Sequence, residues 1–375
     1  MQRIPPTRPR PQLRRPFEHW LTIAISQICI MTLLVVMFTV DETDISPNAA
    51  VSKWGGMGSG LEVWQGEWWR IWTTQVHHAD LLHLVMNLLF FLFFGRIMEP
   101  RLGAWRYALF LLGAAGFAGT LQTFFGPNFV GISGVVFAQW GWIVTERDRD
   151  PQLADRFPDS WVYLMVIVLC LGIPLEWTET VPIANACHFG GAIYGVVWGK
   201  LSTVVSIPLL RYSIWGASHL LLIPAVYFVT HPTWDADYYW LLGDSAPSIS
   251  EKIHYYEQGL ERDPEHKQLN TNLAITYMAN KEPLKAWDTI LRAVKANPAD
   301  LKTLEAAREI GTLLLNQSRL LFDADTLREI LRKHFGEQAP QWEQTLMHSS
   351  PLADAIPNRS SVKHAPHPNE LGPAI

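Results

Sequence analysis

Cysteine is scarce in this chain. Cys29, Cys170 and Cys187 are the whole complement, and all three sit in apolar stretches. So few thiols, without paired spacing, exclude a disulfide framework and a zinc ribbon. They read as free thiols packed in a membrane. An excess of positive charge is also missing: the net charge of −5 leaves no electrostatic footprint for nucleic acid, so no nucleic-acid partner is expected. The H-E-x-x-H pattern of a zinc protease is absent, and no acidic ligand accompanies His77, His78 and His83. Neither a metal nor any other cofactor is expected.

What is present divides into two kinds of sequence. Residues 17–231 are rich in apolar, aromatic and glycine residues, whereas residues 245–375 carry the charge pattern of a soluble protein. Apolar segments at 20–40, 81–98, 105–125, 132–145, 160–176, 183–200 and 212–230 are candidate membrane spans. The first follows five arginines and could pass for a signal peptide. Its length suits a bilayer span instead, and no small-x-small cleavage site follows, so it reads as an uncleaved helix. Basic residues cluster in alternate loops: Arg96, Arg101 and Arg106 after span two, then Arg147, Arg149 and Arg156 after span four, then Lys200 and Arg211. That alternation predicts a cytoplasmic N-terminus. A seventh span, interrupted by His219 and Pro224, then puts the C-terminal region outside the cytoplasm.

Span four is short. Ile132 to Thr145 covers about 21 Å at about 1.5 Å per residue, against a hydrocarbon core of about 30 Å. With its cytoplasmic end fixed by Glu146 and Arg147, Ser133 is expected at the bottom of a water-filled depression, where irregular backbone is tolerated.

Polar groups inside membrane helices default to functional candidates. Gly131-Ile132-Ser133-Gly134 opens the short span. A serine between glycines leaves room for a substrate backbone, although alone the motif reads more often as helix packing. His188 starts span six, with Gly191, Gly195 and Gly199 on its own face. Gly134, Ala138 and Gly141 form a matching smooth stripe on span four. Packing these faces is expected to bring the Ser133 hydroxyl to the His188 imidazole, whose ordinary pKa near 6.5 suits base and then acid duty. His83 and Asn87 share one face of span two and offer donors for an oxyanion, together with the Ser133 N–H. No buried aspartate is placed to orient His188, so a dyad is expected rather than a triad. Phe137, one turn after Ser133, either stacks on the imidazole or fills the core.

Taken together, these residues resemble the rhomboid proteases over roughly residues 60–200. Trp69-Arg70 is similar to the family's Trp-Arg pair, with His78 at the expected distance. His78, His83 and Asn87 match its span-two motif, and Glu99 ends that helix. Gly131-x-Ser133-Gly134 matches the nucleophile motif, and Ala186-Cys187-His188 with Gly190-Gly191 is similar to the histidine motif. Phe137 stands where a tyrosine is common, and Cys187 before the histidine is a further departure.

The resemblance implies an all-α fold: a polytopic membrane helical bundle with a six-helix core, to which the seventh helix is added. It also implies a serine endopeptidase, with Ser133 as nucleophile and His188 as base. His83 and Asn87 form the oxyanion hole; His78 is secondary. Transmembrane or membrane-proximal segments of other proteins are the implied substrates, and membrane lipid the surroundings. A catalytically silent relative that binds partners typically loses the serine or the histidine, and both are present here. A solute transporter predicts inverted repeats, which the hydropathy pattern lacks.

In the C-terminal half, Asp263-Pro264 and Asn297-Pro298 each close an amphipathic helix, 34 residues apart. Leu273, Ala274, Tyr277, Ala286, Ile290 and Ala293 fall where a tetratricopeptide repeat needs its large and small residues. The expected organisation is a basic cytoplasmic tail (1–16), a membrane domain (17–232), a small α-helical tetratricopeptide-like soluble domain (245–335) that binds a peptide or protein, and a partly disordered tail (336–375).

Overall fold

The computed structural model describes residues 19–39, 47–58, 60–126, 129–178, 183–204, 207–321 and 324–347. The fold is all-α, and the described residues divide into two compact units, one up to Thr230 and the other from His231.

The first unit is built from α1 (Trp20–Thr39), α2 (Leu81–Leu102), α3 (Ala104–Phe125), α4 (Ser133–Arg147), α5 (Asp159–Trp177), α6 (Asn185–Val204), α7 (Pro208–Leu220) and α8 (Leu222–Thr230). Five stretches are long and apolar enough to cross a bilayer: α1, α2, α3, α5 and residues 212–230. This is an integral multi-pass membrane protein. The last stretch is interrupted at Leu221, so the expected single seventh span is two helices. Its first half is held to the bundle by aromatic and histidine contacts. Trp215 stacks on Trp198 with centroids 4.2 Å apart, and His219 Nε2 lies 3.1 Å from the Leu109 carbonyl oxygen.

The centre of the unit is the α4–α6 pair. A Cβ on Gly191 would lie 1.9 Å from the Gly134 carbonyl oxygen, and one on Gly195 1.9 Å from that of Ala138. Hydrogens in place of side chains therefore let two backbones touch. Alpha4 needs this neighbour. At 15 residues it is about 22 Å long and leaves part of the bilayer thickness to irregular backbone.

Alpha1 is fastened by a side chain far along the sequence. Glu99 is buried near the end of α2. Its carboxylate accepts from the Leu21 amide at 3.0 Å, the Thr22 amide at 2.9 Å and the Thr22 hydroxyl at 2.6 Å. The first amides of a helix lack intrahelical acceptors and carry the positive end of its dipole, so a carboxylate there both caps and charge-matches them. Glu99→Ala is expected to cost about 2–4 kcal/mol, because two amides and a hydroxyl lose a charged acceptor at once. Unfolding in mild detergent measures this; a loss under about 1 kcal/mol would mean that water replaces the carboxylate freely.

The second unit runs through α9 (Ala236–Ser245), α10 (Ile249–Arg262), α11 (Lys267–Ala279), α12 (Pro283–Ala296), α13 (Leu301–Leu321), α14 (Ala324–Phe335) and α15 (Ala339–Met347). Short links make successive helices neighbours. The repeat positions Leu273, Ala274, Tyr277, Ala286, Ile290 and Ala293 are all buried in one apolar core. That core is longer than 245–335. Ala236 joins it upstream, and Trp342 and Leu346 join it downstream. Residues 336–347 are therefore packed helix, not tail. Residues 1–16 and 348–375, read above as tails, lie outside the described residues.

Candidate active site

Ser133 is the first residue of α4, and its position follows from the turn before it. Gly131 has φ +108°, a conformation that side chains rarely adopt, and it swings the chain into the helix. That turn is pinned from the loop ahead of α2. The Thr74 hydroxyl donates to the Phe129 carbonyl oxygen at 2.6 Å, and the Met57 amide donates to the same hydroxyl at 3.1 Å. Ile132, the residue before α4, supplies no side-chain cap, while the Gly134 amide in the first turn donates to the Cys187 sulfur.

His188 lies in the first turn of α6, and its Nε2 is 2.8 Å from Ser133 Oγ. The glycine contacts between α4 and α6 set that distance, since they hold the two helix starts side by side. The Phe137 ring sits 4.7 Å from the imidazole, centroid to centroid, tilted by 36° rather than parallel. It limits rotation of the imidazole without hydrogen-bonding to it. Among the described residues, no carboxylate hydrogen-bonds His188.

His83 and Asn87 approach the same place from α2. Asp80 caps that helix by accepting from the His83 amide at 2.8 Å, which fixes where the first turn starts. A Cβ on Gly131 would stand 2.8 Å from His83 Nε2 and 3.3 Å from Asn87 Nδ2. Both donors thus face the peptide just before Ser133. The Ala79 amide lies 3.5 Å from His83 Nδ1, which favours the tautomer with its proton on Nε2. Among the described residues, the buried Asn87 Nδ2 has no hydrogen-bond partner. A buried amide donor left unpaired is costly, so this one is poised for an acceptor. His78 is buried against His83, ring centroids 5.0 Å apart.

The remaining sequence candidates lie elsewhere. Glu99 is twelve residues beyond Asn87 on α2, about 18 Å along its axis, at the α1 anchor. Arg70 is buried in the loop, bonded to Glu67 and to the carbonyl oxygens of Ser52 and Gly56. Trp69 is half-exposed beside it.

Two residues absent from the sequence reading belong here. Thr74 is the pin just described. Gln122, buried on α3, accepts from the Cys187 amide at 3.0 Å and steadies the turn carrying His188. A polar side chain in the apolar run of span three was the signal for it.

Comparison with known proteins gives a consistent result. The family model of the Rhomboid domain matches residues 65–203. The "Rhomboid protease GlpG" of Salmonella paratyphi A is 33% identical over 144 residues, covering 37% of this chain and 50% of that protein. The protein of the same name from Haemophilus influenzae is 30% identical over 145 residues, covering 38% of this chain and 73% of that protein. The chain thus spans half the length of the Salmonella relative and nearly three quarters of the Haemophilus one.

Proposed function

Since the chain belongs to the rhomboid family, we propose that it is an intramembrane serine endopeptidase working through a Ser133–His188 dyad. The observation that carries this reading is the 2.8 Å contact between Ser133 Oγ and His188 Nε2 beside two donors facing one point. Ser133 Oγ attacks the scissile carbonyl carbon while His188 Nε2 takes its proton. The carbonyl oxygen, now negative, is held by His83 Nε2–H, the unpaired Asn87 amide and the Ser133 N–H. His188 then protonates the leaving amine. A water, activated by the same imidazole, splits the acyl-enzyme and restores the serine.

The substrates are transmembrane or membrane-proximal segments of other proteins, since Ser133 begins a helix too short to reach both bilayer faces. We place the enzyme in a bacterial inner membrane with its N-terminus in the cytoplasm. The second unit, read as a tetratricopeptide-like module, recruits a peptide or protein partner.

A fluorophosphonate probe tests the reading directly. It is expected to label the full-length chain in membranes at Ser133 and to leave Ser133→Ala unlabelled. Labelling of His188→Ala at the wild-type rate would show that the serine is not activated by that imidazole.

A further inference from the structure

Alpha1 has two unlike faces. Thr22, Ser26, Cys29 and Leu33 are buried and face the bundle. On the opposite side, about 150° away at about 100° per residue, run Trp20, Ala24, Gln27, Met31, Leu34 and Phe38. Their spacing alternates four and three, the repeat by which two helices keep one seam in contact while coiling left-handedly. Except for the half-buried Ala24, these positions are exposed.

Gln27 is out of place on such a face. It is exposed, with no hydrogen bond to any described residue. It lies seven residues inside the helix from Trp20, roughly 10 Å along the axis. Polar side chains at that depth are expensive in hydrocarbon and normally face the bundle interior. Beside it, an apolar groove of about 460 Å3 is walled by Met31, Val35 and Trp54. The Trp54 indole N–H is anchored on the Thr39 hydroxyl at 2.7 Å.

We propose that this face of α1 is a self-association seam, occupied by α1 of a second copy of the chain and closed by reciprocal Gln27–Gln27 hydrogen bonds. Copies in one membrane share their orientation, so their first helices run parallel with Gln27 at equal depth. A primary amide both donates and accepts, so two of them related by a twofold axis satisfy each other. A second copy supplies that match at this depth without any further requirement, whereas a different partner needs a polar group placed there independently. The seam lies opposite the face that packs on the bundle, so pairing leaves the Ser133 site undisturbed.

The test uses the full-length chain in lipid vesicles in a Cys170→Ser background, because Cys170 is the exposed native thiol while Cys29 and Cys187 are buried. With Met31→Cys, mild oxidation is expected to give disulfide-linked dimers. Ile30→Cys, equally lipid-facing but about 80° off the seam, should give few. Gln27→Leu keeps the apolar shape and is expected to weaken association about 5- to 30-fold, read by fluorescence energy transfer between labelled copies. The proposal is overturned by equal cross-linking at Ile30 and Met31, by unchanged association of Gln27→Leu, or by the absence of disulfide-linked dimers from Met31→Cys.

Discussion

Ser133→Ala is expected to lower cleavage of a transmembrane reporter by at least about 10³-fold, into the uncatalysed background. Among the described residues, the Ser133 hydroxyl is the group that hydrogen-bonds His188 Nε2, at 2.8 Å, and alanine removes it. His188→Ala should cost about as much, since the serine is then a weak nucleophile without its base. The double variant should be no worse than either single one, because the two groups act as a unit. Asn87→Ala is expected to differ in kind. It removes one oxyanion donor and leaves the dyad, so the loss should be about 10²–10³-fold, with fluorophosphonate labelling slowed rather than abolished. Initial rates in proteoliposomes decide this. Multiplying losses in the double variant, or more than a tenth of wild-type activity in Ser133→Ala, would sink the dyad.

The second large effect is expected far from any reacting atom. Gly195→Ala adds one methyl group where the Ala138 carbonyl oxygen stands 1.9 Å away, with the Trp142 amide nitrogen at 2.9 Å. These are backbone atoms, which cannot rotate aside. The two helices must separate by more than an ångström, at a cost of about 1–3 kcal/mol of overpacking. A displacement of about 1 Å at a reacting pair lowers rates about 10²-fold, so activity should fall by that order with every catalytic side chain intact. Two comparisons isolate the cause. Gly199→Ala meets the Thr145 hydroxyl, the end of a side chain, and should be milder. Gly216→Ala meets nothing within 4 Å on a helix and should be neutral or slightly stabilising. Activity and thermal unfolding in detergent, measured for all three, should rank Gly195→Ala as the most damaging. Equal effects would mean that the close contact does not position the dyad.

Much of this site was readable in the chain because membrane burial constrains sequence tightly. Glycines at three- and four-residue spacing beside His188 announced a close helix contact, and that contact is what brings the serine at the start of an undersized span to the imidazole. That His83 and Asn87 would lie together followed from two polar residues one turn apart on an apolar helix. Other features depend on partners distant in sequence. The carboxylate of Glu99 reads as part of a motif, yet its bonds go to amides of α1, and no local pattern names that target. Thr74 looks like an ordinary loop residue until the turn before Ser133 is laid against it. The ends of the second unit were misjudged for a similar reason: Ala236, Trp342 and Leu346 lie in short helices whose place is set by a shared core rather than by a repeat. The break at Leu221 was signalled by Pro224, which lacks the amide that would continue the ladder.

The anchoring of α1 by Glu99 also imposes an order on biogenesis. The amides of Leu21 and Thr22 precede their acceptor by 78 and 77 residues. At about 5–20 residues per second, the ribosome needs roughly 4–16 s to synthesise that interval. Throughout it, the newly inserted helix has a bare end that only water or lipid headgroups can satisfy. Its final seat exists only after α2 has emerged, so α1 must wait to dock although it is made before α2.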